Sequence, residues 1–210
     1  MKVLLLNGSP HKNGTTAAAL GEVAKTLNEE GVETEIIQVG HLKLNGCLGC
    51  YACTDLGKCV IDDQVNMIAE KFKAADGLIV GSPVHYAAPA GTLICLLDRL
   101  FYSARFDKRD KIGAAVVCAR RGGCTASFDV LNKYFTISGM PVATSIYWNQ
   151  VHGASAEDAS LDEEGMQTMR ALGRNAAFLM KSIALGKEKY GLPEVEKRLR
   201  TNFIRQAPKN

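Results

Sequence analysis

Residues 3–16 read VLLLNGSPHKNGTT. The apolar residues 3–6 predict a buried strand, and the pattern of residues 15–30 predicts a helix. The hydroxyl-rich loop between them leads straight into the helix N-terminus, where backbone N–H groups attract anions, so a phosphate site is expected, with an ordinary capped helix as the alternative. The expected phosphate ligands are Ser9, Asn13, Thr15 and Thr16, with charge from His11 or Lys12.

The spacing of the glycines in this loop excludes two familiar nucleotide motifs. Five residues separate Gly8 from Gly14, and Thr15 follows directly, whereas a Walker A loop has four residues between its glycines and then Lys-Ser/Thr. The loop is not G-x-G-x-x-G either, so the dinucleotide fold of ordinary dehydrogenases is not expected. A terminal monoester phosphate, held by many hydrogen bonds, suits this loop better.

Outward from this stretch, short apolar runs alternate with helical patterns along the chain. This alternation is typical of an α/β protein whose parallel sheet is covered by helices on both faces. We therefore predict a doubly wound, five-stranded parallel sheet. The predicted strands are residues 3–6, 34–39, 78–80, 111–119 and 141–146. The predicted helices are residues 15–30, 62–75, 90–103, 125–138 and 160–185, the last opened by a capping box at residues 160–163.

The chain is predicted to form one domain with a tail. The domain covers residues 1–186, and the Gly- and Cys-rich residues 41–61 form an irregular insertion after the second strand. Charged residues gather from residue 187 onward, so residues 187–210 are predicted to be a charged C-terminal tail.

Composition and charge narrow the classes of function. The 210 residues are 47% hydrophobic and 22% charged, which allows a core of ordinary size. The net charge of +3 is too small to suggest a nucleic-acid partner. The N-terminal apolar run is too short for a signal peptide, and no stretch approaches the roughly 18 apolar residues that span a bilayer. We expect a cytoplasmic protein that binds neither nucleic acid nor a membrane.

Two more loops follow strands of the predicted sheet. Ligands of such sheets bind beyond the carboxyl ends of the strands, at the switch point of the topology. A planar anionic ligand would suit the groups in these loops, which are exposed backbone amides, an imidazole, an aromatic ring, arginines, and glycines that allow close approach. The alternative is that the imidazole and the aromatic ring only pack in the loop and that the arginines are only solvated. The residues concerned are Pro83, Val84, His85 and Tyr86 after the third strand, and Arg120, Arg121, Gly122 and Gly123 after the fourth.

Four cysteines fall within thirteen residues, in the pattern C-x2-C-x2-C-x5-C. In a cytosolic protein such a group is expected to bind metal or to be redox-active rather than to form a disulfide framework. The group consists of Cys47, Cys50, Cys53 and Cys59.

Short motifs along the chain carry a family resemblance: GSP at 8–10, NGTT at 13–16, GSPV at 81–84, LDR at 97–99, RRGG at 120–123, YWN at 147–149 and VHG at 151–153. On these motifs residues 1–180 resemble the flavodoxin-like NADPH-dependent FMN reductases, and in particular the iron–sulfur flavoproteins. The cysteine spacing is the motif more specific to the iron–sulfur branch.

The resemblance implies a flavodoxin-like strand order 2-1-3-4-5, one FMN in each subunit and assembly as a homodimer or homotetramer. Residues 9–16, with His11 and Gly14 among them, would hold the ribityl phosphate. Residues 83–86 would line the isoalloxazine, and residues 120–124 would cover its pyrimidine side. Relatives often carry an aromatic residue at the position of His85, which leaves the stacking partner open between His85 and Tyr86.

The resemblance also favours a [4Fe–4S] cluster at the four cysteines. A ferredoxin has the run C-x2-C-x2-C-x3-C followed by proline, whereas here the last gap is five residues and Val60 stands in place of the proline. The longer gap resembles the compact motif of the iron–sulfur flavoproteins. Cysteines without a metal, either as a thiol–disulfide pair or left empty, are the second alternative. Zinc sites with four cysteines generally use two separated CxxC pairs, so zinc ranks third.

The function predicted from the sequence is an FMN-dependent oxidoreductase with NADPH or NADH as electron donor. Electrons would pass from the flavin to the cluster or to a small-molecule or protein acceptor, and no residue is assigned as a catalytic acid or base. Two alternatives remain open: an electron-transfer flavoprotein without a nicotinamide site, and a flavin-binding redox sensor without turnover.

Overall fold

A computed structural model describes residues 1–197 and residue 199. Strands and helices alternate along most of the chain. The strands are β1 (Lys2–Asn7), β2 (Glu33–Gln38), β3 (Gly77–His85), β4 (Ala88–Pro89), β5 (Ile112–Ala119) and β6 (Gln150–His152). The helices are α1 (Thr15–Glu29), α2 (Cys53–Leu56), α3 (Gln64–Ala74), α4 (Gly91–Ser103), α5 (Cys124–Ile137), α6 (Ala156–Leu161) and α7 (Glu163–Tyr190).

Five parallel strands form the central sheet in the order β2-β1-β3-β5-β6, and the short β4 pairs antiparallel with the end of β3. The predicted doubly wound α/β fold and its first four strands are confirmed. The order agrees with the predicted 2-1-3-4-5, with β4 as an additional short strand. Because strand order reverses between β1 and β3, the switch point lies beyond their carboxyl ends.

The predicted fifth strand at residues 141–146 is wrong. Val142 makes one isolated bridge to Gly113, and the strand that pairs with β5 is β6 instead. Between them the buried side chain of Asn149 takes the place of a strand partner, since its Nδ2 donates to the Ala115 carbonyl at 3.0 Å. The apolar run at 141–146 correctly indicated that this part of the chain lies beside β5. The strand pairing with β5 begins only after Asn149, whose side chain bonds to β5.

The two faces of the sheet carry separate apolar layers. Along β1, Val3 and Leu5 pack with α1 and α7, whereas Leu4 and Leu6 pack with α3, α4 and α5. All four side chains are fully buried, which explains the continuous apolar run, because a strand covered on both faces has no polar side.

The last two helices begin elsewhere than predicted. Ser160 lies inside α6 rather than capping a helix; α6 is capped by Ser155, whose Oγ accepts from Asp158 N at 3.1 Å. Helix α7 is capped by Asp162, whose Oδ1 accepts from Gly165 N at 2.9 Å. A carboxylate at this position also suits the positive end of the helix dipole.

Helix α7 continues past the predicted domain boundary. It ends at Tyr190, so the predicted tail 187–210 begins within the helix, where Lys187 Nζ lies 2.6 Å from Asp110 Oδ2. Residues 198 and 200–210 of that tail lie outside the described residues. None of the helices within residues 1–197 is both long enough and apolar enough to cross a membrane.

Candidate functional site

A pocket of about 360 Å³ lies beyond the carboxyl ends of β1, β3, β5 and β6. It is the place where a doubly wound sheet binds its ligand. Of the residues expected to bind a cofactor, it brings together Ser9, His11, Asn13, Gly14, Thr15, Thr16, Pro83, Val84 and Arg120.

The loop after β1 is shaped by its own side chains. Asn7 Oδ1 accepts from Ser9 N at 3.0 Å, and Ser9 Oγ accepts from His11 N at 3.1 Å. The Ser9 hydroxyl therefore keeps its own hydrogen to donate. Gly14 is the N-cap of α1 and supplies no side-chain acceptor, so the N–H groups of the first helical turn are available to an anion.

The end of β2 supports this loop from behind. Gly40 N donates to the Asn7 carbonyl at 3.1 Å, and Gln38 Nε2 donates to the Ser9 carbonyl. A Cβ added to Gly40 would lie 2.1 Å from the Ser9 carbonyl oxygen, so only glycine allows this approach. Bonds to two main-chain carbonyls thus hold the loop in place without using the groups that face the pocket.

The Thr15 side chain makes contacts that were not predicted from the sequence. Its hydroxyl lies 3.2 Å from the Gly153 carbonyl and 3.0 Å from the Ser155 carbonyl, and it donates to these oxygens. A hydroxyl has one hydrogen, so the side chain is committed to the loop after β6. Its backbone N–H lies in the first turn of α1, where N–H groups have no partner within the helix.

Pro83 and Val84 line the pocket, whereas His85, the last residue of β3, and Tyr86, in the turn between β3 and β4, lie outside its lining. Tyr86 is fully exposed, with φ of 50°, and Ala87 has φ of 58°. Two successive residues in the left-handed region form a tight hairpin turn that favours glycine or asparagine, and here two other residues occupy it at some cost in strain.

The arginine–glycine loop contributes mainly through Arg120, which lines the pocket. Arg121 and Gly122 are exposed and lie outside its lining. Gly123 has φ of 96° and caps α5, and an added Cβ would lie 2.8 Å from Val84 Cγ1. Arg120 therefore lines the pocket, Arg121 and Gly122 lie at its rim, and Gly123 packs behind the β3–β4 turn.

Sequence reasoning missed part of the lining. The loop after β6 was overlooked because the fifth strand was placed too early, although the run of small and polar residues following Val151 marks a strand end. The missed residues are Cys118, Ala119, Gly153, Ala154 and Ser155.

Cys118 lies at the floor of the pocket and stays protonated at neutral pH. Burial raises the pKa of its thiol to about 12, although a hydrogen bond from Thr16 acts in the opposite direction. A thiol with this pKa is not a nucleophile, so Cys118 contributes shape rather than chemistry.

The four clustered cysteines line a second, small pocket of about 30 Å³ between the segment that follows β2 and helix α4. Cys47 and Cys50 are exposed, and Cys53 and Cys59 are partly buried. Cys53 lies at the start of α2, a single turn in a segment predicted to be irregular, and its Sγ contacts the Tyr102 carbonyl at 3.6 Å. The fold thus places the four cysteines in the lining of one pocket.

The second pocket offers four cysteine thiols as its donor set. Within residues 1–197 and 199, no three His, Cys, Asp or Glu side chains are arranged to hold one metal ion. Four cysteine thiols are the usual ligand set of an iron–sulfur cluster, so the residue types present fit such a group.

Comparison with known proteins agrees with the fold. Residues 1–154 match the family model of the NADPH-dependent FMN reductases. An iron–sulfur flavoprotein of Methanocaldococcus jannaschii is 36% identical over 87% of this chain and 99% of its own length. An NADPH-dependent FMN reductase of Escherichia coli is 28% identical over 77% of this chain and 75% of its own.

Solved structures show the same architecture. An archaeal flavodoxin superposes with a TM-score of 0.60 at 18% identity, over 86% of this chain and 99% of its own. That likeness confirms the flavodoxin-like fold, and the family match covers most of the pocket-forming residues. The chain therefore belongs to the NADPH-dependent FMN reductase family.

Proposed function

We propose that this protein is an FMN-dependent oxidoreductase that takes electrons from NADPH or NADH and passes them to a [4Fe–4S] cluster at the four clustered cysteines or to a small acceptor. The observation that carries the proposal is the pocket at the switch point, where an uncapped helix N-terminus meets hydroxyl groups and an arginine. The family supports the flavin, and the iron–sulfur name of the relative from M. jannaschii supports the cluster.

The first loop suits the phosphate of FMN in particular. A monoester dianion needs hydrogen-bond donors, which are supplied here by the first turn of α1, the Ser9 hydroxyl and the side chains of His11 and Asn13. The helix dipole adds to this attraction without a lysine of the Walker type. Thr15 would hold the loop after β6 against the phosphate loop, which closes this side of the pocket.

The opposite wall suits the flavin ring. Pro83 and Val84 present backbone and apolar surface, and Arg120 brings a positive charge to the same space. His85, Tyr86, Arg121 and Gly122 would contact the ring only from the rim, and Gly123 would keep the β3–β4 turn in place. When bound, FMN supplies the hydride and electron chemistry, and the protein supplies orientation and charge.

The donor, the acceptor and the assembly are also proposals. A nicotinamide would reach the exposed rim formed by the β3–β4 turn, which is open to solvent in the described part of the chain. Assembly as a homodimer or homotetramer, expected from the resemblance, would bring a second subunit to this rim.

Flavin titration tests the first half of the proposal. We expect the apoprotein to bind FMN at micromolar concentration and riboflavin much more weakly, because riboflavin lacks the phosphate. Ser9→Ala should weaken FMN binding and leave riboflavin binding unchanged, since it removes a donor at the phosphate. Thr34→Ala is the matched control, because it removes the hydroxyl of a partly buried residue of β2, far from the proposed phosphate site, that bonds only Asn28 Oδ1 at 3.1 Å among the described contacts. Equal affinity for FMN and riboflavin would contradict the proposed phosphate site.

Anaerobic reduction tests the second half. Mixing the FMN-loaded protein with NADPH or NADH should bleach the flavin absorbance, and the rate for each nucleotide shows which donor is preferred. If the flavin stays oxidised with both nucleotides but is reduced by a chemical or protein donor, the protein is an electron-transfer flavoprotein and not a nicotinamide-dependent reductase.

A further inference from the structure

Arg99 is a buried cation that contacts the clustered cysteines. It lies on α4, and only 1% of its surface is exposed. Its Nη1 and Nη2 lie 2.6 and 2.8 Å from the two carboxylate oxygens of Asp63, in a bidentate pair. Because a buried arginine needs such a partner, the pair fixes the guanidinium plane.

The remaining donors of Arg99 point to the cysteine segment. Both Nε and Nη2 lie 3.3 Å from Cys59 Sγ. Nη1 also contacts the Asn45 carbonyl at 3.4 Å, and Nη2 contacts the Ile61 carbonyl at 3.3 Å. One side chain therefore contacts the chain just before Cys47, the chain just after Cys59, and the sulfur of Cys59 itself.

The main chain of Cys59 is held by a second residue, Asn66, which lies on α3. Asn66 Oδ1 accepts from Cys59 N at 2.9 Å, and Asn66 Nδ2 donates to Cys59 O at 3.0 Å. Asp63 is the N-cap of the same helix, with Oδ1 accepting from Val65 N at 3.1 Å. Cys59 is thus oriented at its backbone by Asn66 and at its sulfur by Arg99.

We propose that Arg99 is a positioning residue for the cysteine site: it orients Cys59 as a pre-formed ligand and, through two N–H groups on its sulfur, raises the reduction potential of a bound iron–sulfur cluster. This inference rests on the cluster in the proposed function. Hydrogen bonds to ligand sulfurs and nearby positive charge are among the factors that set cluster potentials. Partners that orient a metal ligand are typically worth about 10–100-fold in metal affinity.

Variants of Arg99 separate an effect on the sulfur from simple support of the loop. Arg99→Gln removes both the charge and the fork of donors, whereas Arg99→Lys keeps the charge and loses the fork. Asn66→Ala removes support from the Cys59 main chain and leaves the sulfur contacts intact. Arg105→Gln is the matched control, because Arg105 contacts the same segment through Thr54 Oγ1 at 2.8 Å and does not contact a cysteine sulfur.

The test uses protein purified anaerobically with FMN and reconstituted with iron and sulfide. The readouts are iron and sulfide per chain, the rate of iron release to a chelator, and the midpoint potential followed by the EPR signal of the reduced cluster. We expect Arg99→Gln to release iron about ten-fold faster or more and to have a lower potential, and Arg99→Lys to be intermediate in both. Asn66→Ala should release iron faster at an unchanged potential, and Arg105→Gln should match the wild type.

Wild-type potentials in Arg99→Gln and Arg99→Lys would overturn the role of Arg99 while leaving the cluster in place. If Arg99→Gln does not fold, as judged by its FMN content and circular dichroism, Arg99→Lys decides alone. A wild-type chain that binds FMN but takes up no iron and sulfide would overturn the cluster and this inference together, and would leave the flavin site standing.

Discussion

At the scale of the residue, Thr15 is a predicted phosphate ligand whose side chain also supports the loop after β6. Its type suits a phosphate ligand, and its hydroxyl also joins the first turn of α1 to the loop after β6, which are more than 130 positions apart in the chain. Cys118 is similar: its apolar position on β5 suited the core, and it also forms the floor of the pocket.

The pKa of Cys118 has a consequence for stability at alkaline pH. The unfolded thiol ionises near pH 9.0, whereas burial raises the pKa in the folded protein to about 12. Above pH 9 the unfolded state therefore holds fewer protons, and stability falls as the pH rises toward 12. Between pH 7 and pH 10 the free energy of unfolding should fall in the wild type. We expect this fall to be smaller in Cys118→Ala, by about 1 kcal/mol.

Urea unfolding of the apoprotein at the two pH values measures this difference. Val117→Ala is the matched control, because it removes apolar volume from the same buried strand without removing an ionisable group. Its stability should fall with pH as in the wild type. Equal pH dependence in Cys118→Ala and the wild type would show that the buried thiol is not responsible.

At the scale of the element, α7 covers one face of the sheet by packing closely on α1. The contact depends on Gly173, where an added Cβ would lie 2.7 Å from Thr26 Cβ and 3.2 Å from the Val23 carbonyl oxygen. Further along the same helix, Gly186 has open space around it. Close packing of α7 on α1 therefore requires a glycine at position 173, whereas no contact requires one at position 186.

Replacing each of these glycines with alanine should change stability in opposite directions. Gly186→Ala is expected to stabilise the protein by about 0.5–1 kcal/mol, because alanine loses less backbone entropy in a helix. Gly173→Ala is expected to destabilise it by about 1–3 kcal/mol, because the methyl group separates α7 from α1. Urea midpoints of the two variants test this, and stabilisation by both would show that α7 adjusts its position freely.

At the scale of the whole molecule, the chain combines a packed sheet with one sparsely packed segment. The strands β1, β3 and β5 are buried on both faces. Most of residues 45–58, by contrast, are exposed, and α2 is the one helix within them. Local stability follows the density of buried apolar contacts, so the cysteine segment should open much more readily than the sheet.

Hydrogen exchange should resolve these two regions. In protein without iron, amides of residues 45–58 should exchange by local opening, and amides of β1, β3 and β5 should exchange only on global unfolding. Reconstitution with iron and sulfide should slow exchange in residues 45–58, and FMN should slow it around residues 9–16. A uniform response to both additions would contradict two separate sites.

The parts of the fold that the sequence predicted are those where one local signal dominates. Val3 to Leu6 is apolar without interruption because both faces are covered, and that signal is visible in any sequence. The fifth strand was misplaced because its position depends on the bond from Asn149 to Ala115, a contact across 34 positions. The cap at Asp162 was missed because a serine nearby offered an equally good local signal.

The sequence by itself determined the class of fold, the hydroxyl-rich loop after β1 and the presence of a four-cysteine group. These follow from periodicity, spacing and chemical type, which are properties of short stretches of chain. The tertiary structure decided which residues meet: that Thr15 supports Gly153, that Tyr86 lies on the rim, and that Arg99 contacts Cys59. Such contacts join residues far apart in the chain, and they are set by how helices and strands pack, which no local pattern records.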